Sequence, residues 1–258
     1  MNKNTLPIAV IDSGVGGISV LRELCSLMPC ENFIYFGDSK NAPYGTKSRD
    51  EVLKITKDIL DMLKKRGIKA LVIACNTATS AAVRILRIEE SELVIVGIEP
   101  AIKPPSVDFD HPRVLVMATP LTLKEEKFKS LVARFSDAEE IIPLPCPRLV
   151  DFVERGELDS PLLDDYLENL LSPYKNEKID ALVLGCTHYP HIKSAIARHL
   201  PPMVRIYDGG EGTARETRRR LSELNLLNPG QEKGRIEIIN SSGDERLIKL
   251  SEMLLYRR

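Results

Sequence analysis

Long apolar runs are missing from this 258-residue chain. The short run at 8–11 is too brief for a secretory h-region and has no cleavage site behind it, and no later run approaches the ~20 residues of a membrane span. The expectation is a cytoplasmic protein with no membrane partner. Paired cysteines are missing as well. The five cysteines are odd in number and contain no Cys-x-x-Cys pair, which suits neither a disulfide framework nor a usual zinc site. Any cysteine with a task should act as a free thiol. Nor is one sign of charge in excess: 36 Lys plus Arg stand against 37 Asp plus Glu. No block of one sign could track a phosphate backbone, so nucleic acid is not expected as a main partner.

What is present is a regular alternation. Short β-rich apolar runs fall at 8–11, 32–37, 70–74, 93–98, 113–118, 140–144, 181–185, 204–207 and 235–240. Helical patterns such as 51–65 and 124–134 lie between them, with apolar residues at three- and four-residue spacing that give each one apolar stripe. Many strands separated by helices define an α/β protein, and continuously apolar runs such as Ala-Leu-Val-Ile-Ala mark parallel strands covered on both faces. Four prolines between 100 and 112 break the rhythm, which places a domain crossing there. The chain also resembles itself: Ala70-Leu-Val-Ile-Ala-Cys75-Asn-Thr returns as Ala181-Leu-Val-Leu-Gly-Cys186-Thr-His, and the run at 8 has a counterpart at 113. Two halves of related design are implied.

In open parallel sheets ligands bind beyond the carboxyl ends of the strands, and both cysteines fall at such ends. Alone, each is a small buried hydrophobe by default; the duplicated context argues for the pair. A thiol of pKa about 8.5 is partly thiolate at neutral pH, so one cysteine can accept a proton while the other donates one. Inverting the α-carbon of an amino acid needs a base on one face and an acid on the other, which two thiols supply. The residues after them, Asn76-Thr77 and Thr187-His188, can cap a helix and offer donors to a carboxylate.

Asp12-Ser13-Gly14-Val15-Gly16-Gly17 follows the first strand. Its Gly-x-Gly-Gly spacing is not the dinucleotide fingerprint, and no Walker lysine follows, so an anion-binding turn and simple close helix packing both remain open. Asp12 is the informative residue, since a carboxylate there can orient or exchange protons with an amine or thiol. His188 suits proton transfer near neutrality, the alternative being a hydrogen-bonded structural histidine. Cys-x-His is too close for a zinc site on its own, and His111, His191 and His199 read as structural. The segment 41–45, after the second strand, is either an ordinary turn or a substrate-contacting loop.

Together, Asp12-Ser-Gly-x-Gly-Gly17, Pro43-Tyr-Gly-x-Lys47, Ala74-Cys-Asn-Thr-Ala-Thr79 and Gly185-Cys-Thr-His-Tyr-Pro190 resemble the glutamate branch of the aspartate/glutamate racemase family across nearly the whole chain. The resemblance implies two pseudosymmetric α/β domains with mostly parallel central sheets flanked by helices, and an active site in the cleft between them. Residues 1–99 with 208–258 would form the first domain and 100–207 the second. It implies Cys75 and Cys186 as paired proton donor and acceptor, Asp12 and His188 as their assistants, and Glu154 as a further acidic residue, whose plain alternative is a solvated helix charge. Asp12, Ser13, Tyr44, Gly45, Asn76, Thr77, Thr187 and His188 would hold the substrate, with Thr119 and Thr122 in a turn where Ala118 and Pro120 depart from the family's usual Gly-Thr-x-x-Thr. A late Asp208-containing turn carries more glycine than the family pattern. No pyridoxal phosphate or metal is expected. The implied reaction interconverts L- and D-glutamate for peptidoglycan, in a homodimer. The rivals are a relative acting on aspartate or another amino acid, a non-catalytic amino-acid binder, which has no need of two thiols, and a thiol-redox protein.

Overall fold

Among the described residues nine strands form where the apolar runs lie, each bounded within a residue or two of its run. The protein is described by a computed structural model that covers residues 3–124, 126–135 and 140–257. In chain order the elements are β1 (Ile8–Asp12), α1 (Ile18–Leu27), β2 (Phe33–Gly37), α2 (Arg49–Lys65), β3 (Ala70–Ile73), α3 (Asn76–Glu89) and β4 (Val94–Gly97). They continue with α4 (Lys103–Asp108), β5 (Arg113–Ala118), α5 (Pro120–Lys124), α6 (Glu126–Ala133), β6 (Glu140–Pro145), α7 (Leu149–Glu154), α8 (Pro161–Leu171), β7 (Ala181–Leu184), α9 (Lys193–Arg198) and β8 (Arg205–Asp208). The chain closes with α10 (Gly210–Glu223), β9 (Ile236–Asn240) and α11 (Glu245–Tyr256).

Every strand pairing is parallel. Two compact units result: Met1–Glu99 with Gly210–Arg258, and Pro100–Gly209. The second crossover thus falls two residues later than the sequence suggests, because Asp208 still pairs with Leu184 at the end of β8. The first sheet has the order β4-β3-β1-β2-β9 and the second β6-β5-β7-β8. Written from its other edge, the second is β8-β7-β5-β6, which matches β4-β3-β1-β2 strand for strand and leaves β9 as the addition.

In the first unit, α2 and α3 bury Val52, Ile59, Leu60, Leu63, Ala82 and Leu86 against Ala9, Ile11, Ile34, Phe36 and Leu71 of the sheet. Ile8 and Val10 point the other way and are equally buried, so that face is covered too, as a parallel sheet requires. There α1 packs on α10 and α11. Helix α2 starts at a capping box in which Ser48 and Glu51 satisfy each other's backbone N–H groups, an arrangement that fixes the end of the preceding loop. In the second unit Val114, Val116, Ala181 and Val183 pack on Phe128 and Leu131 of α6.

A buried ion pair ties the returning C-terminal segment to the first unit. Lys69 Nζ lies 2.5 Å from Glu31 Oε2 and donates to the carbonyls of Asn4 and Leu226. Glu31 Oε1 accepts from the Asn228 N–H. Burial pulls the Lys69 ammonium below its ordinary pKa, and Glu31 works against that pull. Such a pair contributes little net stability when whole, but losing one partner strands the other charge in the interior. Lys69→Met is therefore expected to lower stability by about 3–5 kcal/mol, read as a lower urea midpoint. An unchanged midpoint would refute this account of the pair.

Candidate active site

The first half-site grows from the adjacency of β1 and β3. Ile11 pairs with Ile73 and the Ala74 N–H donates to the Ile11 carbonyl, so Asp12 and Cys75 leave neighbouring strands at the same edge. Cys75 is the N-cap of α3 and its Sγ accepts from the Ala78 N–H at 3.5 Å, which aims the positive end of the helix dipole at the sulfur. The Cys75 thiol also donates to the Ser13 hydroxyl at 3.7 Å. Asp12, 2% exposed, accepts from the Gly14 N–H at 3.0 Å. A Cβ on Gly17 would lie 2.6 Å from Asp12 Cβ and 3.0 Å from Ala74 Cβ, so this glycine lets the start of α1 approach the two strand ends. Close packing thus accounts for Gly17.

Asn76 and Thr77 open α3 beside the thiol. Asn76 Oδ1 is buried with no hydrogen-bond partner among the described residues, an acceptor free for a cationic ligand group. Tyr44 and Gly45 sit in a 3₁₀ turn after β2. The buried Tyr44 hydroxyl donates to Asp38 Oδ2 at 2.7 Å. Burial, that hydrogen bond, and the charges that Asp38, Cys75 and Asp12 carry when ionised hold the phenol far above its usual pKa. It stays protonated at any working pH.

The second half-site repeats the strand geometry with different chemistry. Met117 pairs with Leu184 and the Gly185 N–H donates to the Met117 carbonyl, so Ala118 and Thr119 occupy the register places of Asp12 and Ser13. No carboxylate stands beside this strand end in the place of Asp12. Cys186 Sγ instead lies 3.6 Å from His188 Nδ1, and His188 Nε2 lies 2.7 Å from Glu154 Oε1 at the end of α7. The ring is 3% exposed. Burial opposes its charge, but the hydrogen bonds and charges of Cys186 and Glu154 outweigh burial and raise its pKa well above the usual value. As an imidazolium the ring donates to both neighbours, which holds a mobile proton beside the sulfur.

The sequence suggests that each cysteine is followed directly by a helix, and for Cys186 this fails. Pro190 opens a 3₁₀ turn, Tyr189–Ile192, before α9 begins at Lys193, so this thiol caps no α-helix. Thr187 is buried beside it. The turn that departs from the family pattern is regular: Pro120 takes the first position of α5, where its missing N–H costs nothing. Thr119 Oγ1 accepts from the Thr122 N–H at 3.3 Å, and the two threonine hydroxyls lie 2.9 Å apart. The late glycine turn is equally regular, since Gly210 begins α10.

Two of the remaining cysteines, Cys25 and Cys146, are held in their neutral form. Burial pushes Cys25 up to about 12, and burial with the charge Cys186 carries when ionised raises Cys146 as well, so both stay thiols. His199 bridges Asp164 and Glu168, a structural setting. The residue that sequence reasoning passes over is Asp38, 1% exposed. It follows β2 directly, as Asp12 closes β1, and the same signal, a carboxylate at the end of an apolar run, would have found it.

Fold and site together define an α/β protein of two related parallel-sheet units, each presenting a thiol with proton-exchanging neighbours at its sheet's carboxyl edge. The Asp/Glu/hydantoin racemase family model matches residues 18–217. A glutamate racemase of Clostridium botulinum is 49% identical over 255 residues, 99% of each chain. Two solved structures align over nearly the whole chain. The glutamate racemase of Francisella tularensis in complex with D-glutamate has a TM-score of 0.83 and 30% identity, covering 98% of this chain and 94% of that one. The glutamate racemase of Escherichia coli in complex with L-glutamate and the activator UDP-MurNAc-Ala has a TM-score of 0.85 and 30% identity, covering 96% and 95%. The chain belongs to the Asp/Glu/hydantoin racemase family and is an amino-acid racemase by that kinship.

The His188 environment yields a pH prediction. A raised folded-state pKa means that the charged ring contributes stability fully below about pH 6.5, and that this contribution fades as pH rises through the raised value. Glu154→Gln removes the carboxylate, so the His188 titration followed by NMR should move to lower pH and the loss of stability should move with it. An unshifted titration would show that Glu154 does not hold the proton there.

Proposed function

We propose that the protein racemises glutamate by a 1,1-proton transfer between two thiols, without a cofactor. The observation that carries this reading is the strand-for-strand equivalence of β3 and β7, each followed two residues on by a cysteine, Cys75 beside the Ser13 hydroxyl and Cys186 beside the His188 ring. In one direction the Cys75 thiolate takes the α-proton from one face of the substrate and the Cys186 thiol gives a proton to the other; the reverse direction exchanges the roles. Asp12 serves the first thiol, and His188, oriented by Glu154, serves the second. The reaction moves protons only.

The carbanionic transition state needs fixed donors, because a thiolate is a weak base against an α-proton. Ser13, Gly45, Thr77, Thr119, Thr122 and Thr187 would supply hydroxyl or backbone donors to the two carboxylates, and the Asn76 Oδ1 acceptor would take the ammonium. The relatives crystallised with D- and with L-glutamate support glutamate as the substrate, and the product D-glutamate would serve peptidoglycan synthesis. Among the described residues no helix is long and apolar enough to cross a membrane. On the family resemblance the enzyme would work in the cytoplasm as a homodimer.

Incubated in deuterated water with either enantiomer of glutamate and no added pyridoxal phosphate, the protein should exchange the α-hydrogen for deuterium while optical rotation decays to zero. Cys75→Ser and Cys186→Ser should each lower the racemisation rate by roughly 10²–10⁴-fold. Unexchanged glutamate from the unmodified protein would end the proposal, and faster turnover of aspartate would reassign the substrate.

A further inference from the structure

We infer that Asp38 is a positioning residue for substrate binding, acting through Tyr44; the inference rests on the racemase reading above. Asp38 directly follows β2, and its backbone N–H donates to the Asp12 carbonyl at 2.9 Å. Its side chain is almost wholly buried, yet its partners among the described residues are neutral donors. Tyr44 Oη donates to Oδ2 at 2.7 Å, and Asn41 Nδ2 lies 3.1 Å and 3.0 Å from the two oxygens. A carboxylate kept out of water without a cation is expensive to hold, so burial alone does not account for one here.

The second unit shows what the fold alone would place there. Asp12 pairs with Gly37 and Ala118 with Pro145, so the register counterpart of Asp38 is Cys146, whose N–H donates to the Ala118 carbonyl at 2.8 Å. Cys146 is fully buried and neutral. The same slot is thus filled apolarly in one unit and by a carboxylate in the other, beside the loop that carries Tyr44 and Gly45.

The hydrogen-bond direction decides what that loop can offer. The phenolic proton is committed to Asp38, so Tyr44 Oη has only lone pairs left for a substrate, and these suit an ammonium rather than a carboxylate. Gly45 has open space where a Cβ would stand, leaving its backbone accessible. A second support comes from the returning chain: Asn240, at the end of β9, donates from Nδ2 to Ser39 Oγ at 2.9 Å, and the Ser241 hydroxyl accepts from the Lys40 N–H. Asp38 and Asn240 grip the same loop from its two ends.

The test is steady-state kinetics with glutamate on Asp38→Ala, Asp38→Asn, Tyr44→Phe and the Asp38→Ala/Tyr44→Phe double variant, with circular dichroism and Tm recorded for each. Asp38→Ala is expected to raise KM about tenfold with kcat within twofold, Asp38→Asn to restore part of the loss through its remaining acceptor oxygen, and the double variant to be no worse than the poorer single one. Should Asp38→Ala not fold, the near-isosteric Asp38→Asn carries the comparison with Tyr44→Phe. A KM within twofold of the unmodified protein, an equal fall in kcat, or multiplying effects in the double variant would each overturn the inference. Absence of racemisation by the unmodified protein in the same assay would instead overturn the function on which it rests.

Discussion

Each half of this protein depends on one pairing, the third strand of the unit hydrogen-bonded in parallel to the first. Because parallel register carries both strands to a common carboxyl edge, whatever follows β1 lies beside whatever follows β3, and the same holds for β5 and β7. That adjacency brings Ser13 and Cys75 within hydrogen-bonding distance although 62 positions separate them. The helices on both faces make it rigid, since strands buried on two sides cannot slip register without exposing an apolar row.

On this shared frame the two thiols receive different neighbours. Cys75 has a helix N-terminus, a hydroxyl and the strand-end carboxylate Asp12. Cys186 has a histidine raised toward its charged form and anchored by Glu154. In the two-thiol reaction proposed above, which would run in both directions, equal thiols do not require equal partners, only that each can be deprotonated when it receives and protonated when it gives. On that proposal a carboxylate and an imidazolium–carboxylate couple would be two solutions to the same requirement. The repeated fold supplies equivalent positions for the two thiols, and the residues around them differ.

The strands and both cysteines are legible in the sequence because they are local: apolar runs of four to six residues bounded by turns, two of them lying in closely similar hexapeptides that end in cysteine. The parallel sheet follows from runs apolar on both faces. What is not legible is long-range. Nothing in the spacing of Glu154 and His188, 34 positions apart, says that α7 brings them within 2.7 Å, and only the family resemblance points to Glu154. Nor does the sequence show Lys69 reaching Glu31 and the carbonyl of Leu226, because a lysine ahead of a strand reads as solvated. The local grammar also misleads once. Cys186-Thr-His-Tyr-Pro copies the start of the Cys75 motif, yet Pro190 lacks the N–H a helix would use and turns the chain into a 3₁₀ segment first.

Comparison of equivalent places in the two sheets separates what the fold needs from what the site needs. Ile11 and Met117, Ile73 and Leu184 exchange one apolar residue for another, as core positions do. Asp12 and Ala118, or Asp38 and Cys146, exchange a buried carboxylate for an apolar group, and no packing rule asks for that. A charge that survives in the interior when its counterpart shows the fold can do without it is being held against a cost. In this unit both such carboxyl groups stand at the edge where Cys75 emerges, and the Tyr44 phenol nearby is kept protonated by burial first, and then by its hydrogen bond to Asp38 and the charges that Asp38, Cys75 and Asp12 carry when ionised. The repeat thus keeps a cysteine after the third strand of each unit, and it breaks at the buried carboxyl groups beside one of them.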